Sequence, residues 1–151
     1  MIFKSNLQVG QVLWLKVRYQ IDVVSDVIHP MLIAKIEKDY IEVIAIDKTF
    51  GKMQCLYHEY NFFINSKNPT EDIIYEDSYA QLNTKITIEL TDELKNSRKT
   101  EEKLSSKKLN ELLKEYKYYQ KNHILDESRI VYMSKKELLK LNPNIKNKIT
   151  N

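Results

Sequence analysis

Two glycines, one cysteine and three prolines are all that the 151 residues hold of those types. Gly10 and Gly51 are too few and too far apart for a glycine-rich dinucleotide loop or a phosphate-cradling P-loop, because both need several backbone positions that only glycine fits. Cys55 alone excludes an internal disulfide framework and a multi-cysteine zinc site. His58 and His123 lack ligand spacing, and Asp22, Asp26 and Asp47 form no Asp-x-Glu cluster, so no metal site is expected. No apolar run approaches the roughly 20 residues of a membrane-spanning helix. Met1 to Val12 lack the long apolar region and small-residue cleavage site of a signal peptide. The expected setting is soluble, reducing and cytoplasmic, with no membrane partner.

What is present is enough to fold. Hydrophobic residues make up 42% of the chain and charged residues 30%, a balance that buries a core in one domain or in a small domain with an appendage. The net charge of +3 hides an asymmetry. Residues 1–91 carry nine Lys and Arg against twelve Asp and Glu, whereas residues 92–151 carry fifteen against nine. The local pattern changes at the same place, from short β-branched and aromatic segments to lysine-rich helical ones. No Gly/Ser linker separates the halves and no repeat recurs. The division read here is a β-rich body over 1–95 and a basic helical extension over 96–151 packed on it.

The first strand is predicted over Gln11 to Tyr19, with Leu13, Leu15, Val17 and Tyr19 on one face and Val12, Trp14, Lys16 and Arg18 on the other. Ile21 to Ile28 reads as a loop or irregular strand. Pro30 drives His29 towards extended geometry. Strands follow at Met31–Ile36 and Tyr40–Ile46, joined by a tight turn at Glu37-Lys38-Asp39. Further strands are expected near Met53–Tyr57, Tyr60–Ile64, Ile73–Tyr75 and Thr84–Leu90, the last two linked through Glu76 to Asn83. Many short strands at close spacing argue for a small barrel, a mainly β body within an α+β chain.

The strongest helix is predicted over Ser106 to Lys121. Leu109, Leu112, Leu113 and Tyr116 make its apolar stripe, while Lys107, Lys114, Lys117 and Lys121 gather on a solvent-facing side. Thr91 to Leu94 opens a helical turn before it. Ser134 to Glu137 has the spacing of a capping box, so a short helix through Leu138, Leu139 and Leu141 is expected to end before Pro143. Ile130 to Met133 is expected to add an edge strand, and Asn144 to Asn151 to fray.

In this order the elements resemble the PemK/MazF-like family of small SH3-like barrels, which includes ribonuclease toxins. The resemblance covers residues 8–95. Gly10-Gln11-Val12-Leu13-Trp14-Leu15 looks like the family's opening Gly-x-Val-x-x-Val. His29-Pro30-Met31-Leu32-Ile33-Ala34 is similar to its basic residue, proline and apolar strand. Asp77-Ser78-Tyr79-Ala80-Gln81-Leu82-Asn83-Thr84-Lys85-Ile86 is similar to its later Asp-Ser segment feeding a strand. The family's arginine before proline is His29 here, and Asp47-Lys48-Thr49 stands where the family has a Ser or Thr after its third strand.

The resemblance implies metal-independent RNA cleavage without a cofactor, in a dimer neutralised by an antitoxin of protein or RNA. Attack of a ribose 2′-hydroxyl on the adjacent phosphate needs a base, an acid and cationic donors. His29 is the candidate acid or base, because an ordinary imidazole titrates near neutrality. Arg18 and Lys16 would stabilise phosphate, Trp14 would stack a base, and Thr49 with Lys48 and Lys52 would position the backbone. Ser78 and Gln81 would donate hydrogen bonds. Each has a plainer alternative: a strand-entry histidine, a core tryptophan, solvated cations, a hairpin loop and a turn. Two readings follow, a toxin-class endoribonuclease and a non-catalytic binding module on the same barrel, such as an inhibitor or regulator from a mobile element.

Overall fold

Met31 to Ala34 is an unbroken apolar run, the pattern of a strand covered on both faces rather than one. The computed structural model, which describes residues 6–48, 61–64 and 78–146, shows this directly. The run lies in strand β4 (His29–Ile36), where Met31 and Ile33 face one buried cluster and Leu32 and Ala34 face another. The partner strand β5 (Tyr40–Lys48) divides the same way, Ile41 and Val43 against Ile44 and Ile46. The described chain is a mixed α+β structure built on a mostly antiparallel sheet, with few helices.

β4 is flanked by β1 (Val12–Leu15) and β5, both antiparallel to it. The turn between β4 and β5 closes as expected, Glu37 N–H donating to the Tyr40 carbonyl at 2.8 Å. β5 serves two ladders. Its first half, Tyr40 to Val43, pairs with β8 (Lys85–Glu89), and its second half, Ile46 to Lys48, pairs with β7 (Ser78–Gln81). β6 (Asn61–Ile64) lies beyond β7. β9 (Ile130–Met133) adds parallel to the outer side of β8.

Three expectations need correction. The single first strand is split, and Arg18–Gln20 (β2) pairs instead with Val23–Val24 (β3) in a small separate hairpin. The cause is competition for backbone groups. The Lys16 N–H donates to Asn142 Oδ1 and the Val17 N–H to Ser25 Oγ, so neither continues the β1–β4 ladder. The link from Glu76 to Asn83 contains β7 rather than only loop. The carboxyl-terminal stretch is ordered at its start, because Ile145 in a 3-10 turn at Pro143–Ile145 is fully buried. The strands expected at 53–57 and 73–75 lie outside the described residues.

The residues after 95 supply the covers for both sheet faces. Helix α1 (Ser106–Asn122) lays Leu109, Leu112 and Tyr116 on the second cluster. Val131 and Met133 of β9, Leu138 of α2 (Lys135–Leu141) and Ile145 complete the first. Each such leucine contributes ~1.5–3 kcal/mol of burial. Only the N-cap half of the expected capping box forms: Ser134 Oγ accepts from the Glu137 N–H at 3.2 Å, while the Glu137 carboxylate is drawn to Arg18 instead of the Ser134 N–H. Gly10 fits the close approach of β4 and α1. Its N–H donates to the Ile33 carbonyl, its own carbonyl accepts from Leu104, its φ is +96°, and a Cβ there would stand 2.8 Å from Leu109 Cδ2.

Candidate functional site

Trp14 sits on β1 between Leu13 and Leu15, both fully buried, so the pleat turns the indole to the opposite face. On the side of β1 away from β4, the chain returns after a 3-10 turn at Asp92–Ser97, and Arg98 bridges Leu13. An open cleft of about 400 Å³ lies there, lined by Trp14, Ile28, Asn96, Ser97, Arg98, Lys99 and Asn144. The Lys99 ammonium stands 3.7 Å from the centroid of the Trp14 ring. Among the described residues the lining carries two cations and no carboxylate.

Arg98 is the more deeply set cation, its side chain only 10% exposed. Nη1 donates to the Asn6 carbonyl at 3.0 Å and to Gln11 Oε1 at 3.2 Å, and Nη2 lies 3.8 Å from the Glu101 carboxylate. Its Nε is buried with no partner among the described residues. Two lining residues are held by hydrogen bonds: Asn96 Nδ2 donates to the Ile145 carbonyl at 2.9 Å and Ser97 Oγ to the Leu94 carbonyl at 2.6 Å. Arg98 pairs with Leu13, so its guanidinium leaves on the side away from the indole, and Lys99 is the cation at the ring. An aromatic face with an adjacent cation in an open cleft suits a planar base joined to an anionic group.

The expected site residues do not all meet here. His29 is paired with Leu15 and Trp14 with Pro30. Directly opposed residues share a face and successive ones alternate, so the imidazole leaves the sheet on the side away from the indole. Arg18 is engaged elsewhere. Its Nε donates to Glu137 Oε2 at 2.8 Å, and its Nη2 to the Tyr132 carbonyl at 2.7 Å and to Glu137 Oε1 at 3.1 Å. The hydrogen bond to Glu137 raises the guanidinium's pKa further, against a smaller opposing effect of burial. Lys16 is half-buried, with its backbone held at both ends by Asn142.

Ser78 is buried in β7 opposite Lys48 and Ile64, and Gln81 is half-buried opposite Asn61. In strand order β4 and β5 stand between them and β1. Thr49 and Lys52 lie outside the described residues, as do Cys55 and His58. His123 stacks on Tyr119 at 3.9 Å between ring centroids, at the end of α1. Among the described residues no group of three His, Cys, Asp or Glu could hold a metal, and no helix is long and apolar enough to cross a membrane.

Arg98 and Lys99 were not legible as site residues. They lie 84 and 85 positions after Trp14, and no local pattern marks them as its neighbours. The only signal was two adjacent cations closing a short helical turn. Comparison with known proteins assigns nothing further: no family model, no curated protein and no solved structure matches the chain.

Proposed function

We propose that the chain is a non-catalytic binding module that holds single-stranded RNA at the Trp14 cleft, on a barrel of the PemK/MazF-like type. The observation that carries this reading is the Lys99 ammonium 3.7 Å from the indole centroid, in an open cleft with no carboxylate in its described lining. An exposed cation–π contact contributes ~0.5–1 kcal/mol, whereas a base stacked on an aromatic ring contributes ~1–3 kcal/mol. A base therefore displaces Lys99 from the ring, and the freed ammonium pairs with the adjoining phosphate. The barrel reading is supported by β5, which feeds one ladder with each half, as a sheet must when it curls back on itself. A cytoplasmic regulator or inhibitor from a mobile element, acting with a partner protein or RNA or as a dimer, fits this reading.

Binding without cleavage is supported by where the other groups are. Arg18, the intended phosphate donor, is committed to Glu137 and Tyr132. The imidazole of His29 is on the other face from the indole. Cleavage by 2′-hydroxyl attack is the second reading, favoured by one observation: Ile28 lines the cleft, and His29 is the next residue.

Trp14 is the sole tryptophan, so fluorescence excited selectively at tryptophan, away from the ten tyrosines, reports this cleft. Titration with a labelled single-stranded RNA in EDTA is expected to quench Trp14 in step with the rise in RNA anisotropy, and the RNA stays intact on a gel. Binding without quenching would reject the cleft. Discrete products that vanish in His29→Ala would establish the second reading.

A further inference from the structure

We infer that the outward face of α1 is a second RNA-contacting surface, which carries the strand onward from the Trp14 cleft. This rests on the reading of that cleft as an RNA site. Leu109, Leu112 and Tyr116 fix which side of α1 is buried. At about 100° per residue, Lys107, Lys114, Lys117, Tyr118 and Lys121 lie within about 75° of the direction opposite that side. All five are exposed, and none of the four lysines has an ion pair among the described residues. Glu111 is the one acidic side chain in the same arc.

A lysine face alone is ordinarily just solvated. Tyr118 separates this face from that case. It is 63% exposed, at the edge of the basic arc with Lys114 four residues before it and Lys121 three after, on a helix whose other aromatics are packed inward or stacked. A large ring left in water among unpaired ammonium groups is the arrangement that stacks a base and holds its flanking phosphates. The stripe from Lys107 to Lys121 is about 21 Å long. The amino-terminal end of α1 is anchored near β1, since Leu109 on its inner side lies against Gly10, which is at most ~14 Å of chain from Trp14.

Two other acidic partners fit less well. A helix that lies on an anionic membrane inserts its apolar face, and here that face is committed to the core. An acidic peptide would use the lysines but has no call on an exposed aromatic ring.

The test titrates single-stranded RNA against wild type and the K107Q/K114Q/K117Q/K121Q variant at several salt concentrations, reading anisotropy and Trp14 fluorescence together. The variant is expected to flatten the slope of log affinity against log salt by about three, at roughly 0.7 per single-strand phosphate contact. Tyr118→Ala is expected to weaken binding about tenfold while Tyr118→Phe retains it, because stacking needs the ring and not the hydroxyl. All five side chains are exposed, so circular dichroism should show each variant folded. Binding that still quenches Trp14 with an unchanged slope and no loss in Tyr118→Ala would overturn this surface and leave the cleft standing. No RNA binding at all would overturn both. Equal binding of poly-glutamate or of phosphatidylserine vesicles, lost in the four-lysine variant, would overturn RNA as the partner.

Discussion

The side-chain amide of Asn142 closes on the backbone of a single residue, Lys16. Its Oδ1 accepts from the Lys16 N–H at 2.7 Å and its Nδ2 donates to the Lys16 carbonyl at 2.9 Å. The amide thus acts as a neighbouring strand would, where β1 leaves its ladder. Nδ2 also donates to the Leu138 carbonyl, and Asn142 is 1% exposed. This contact ties the end of α2 to the first strand across 126 positions.

Asn142→Ala should therefore lower unfolding stability by roughly 2–4 kcal/mol, since it leaves the Lys16 groups unsatisfied in a part-buried site. Asn142→Asp should cost at least as much at neutral pH, because a carboxylate oxygen then faces two carbonyls. Urea denaturation of both variants decides it. A change under about 0.5 kcal/mol in the alanine variant would mean water replaces the amide freely.

Tyr116 on α1 donates its hydroxyl to Glu42 Oε2 of β5 at 2.6 Å, inside the second cluster. Tyr116→Phe should cost ~1–3 kcal/mol by leaving the carboxylate without this donor. Burial first, then the charge of Glu42 and the hydrogen bond to it, hold the phenol far above its ordinary pKa of 10.0. The native state then keeps a proton that the unfolded chain releases. The stability this proton confers is fully present below pH 10 and is lost as pH rises beyond it, by at most ~1.4 kcal/mol per unit. Wild type should lose up to ~1.4 kcal/mol of its advantage over Tyr116→Phe between pH 9 and 11 in urea titrations, nearly all of it above pH 10. A constant difference across that range would show that the native phenol ionises as freely as the unfolded one.

Arg18 and Glu137 form an ion pair with side chains 23% and 30% exposed. Arg18→Gln should lower stability by roughly 1–2 kcal/mol, between an exposed pair and a buried charged hydrogen bond. RNA affinity of the folded variant should not change. Loss of RNA binding with an unaltered denaturation midpoint would return Arg18 to the ligand site.

Much of this architecture is written in local pattern. Leu13, Leu15 and Val17 alternate into the core, and Met31 to Ala34 announces a strand covered on both faces. The stripe of Leu109, Leu112 and Tyr116 gives the buried side of α1. Each depends only on the period of the chain, 2 in a strand and 3.6 in a helix, so neighbours in sequence suffice to read it. The cap at Ser134 is equally local.

The partnerships are not local. Trp14 and Arg18 look equivalent along a continuous strand, yet one stands in a cleft with Lys99 and the other is bound to Glu137. What separates them is Asn142, which interrupts the strand from the far end of the chain. Alternation dictates that a side chain faces inward or outward. It carries no information on which distant segment arrives to cover it, because that depends on how two sheet faces are filled at once. The sequence by itself determined the faces; the packing of residues beyond 95 onto both of them decided which cation stands beside the indole.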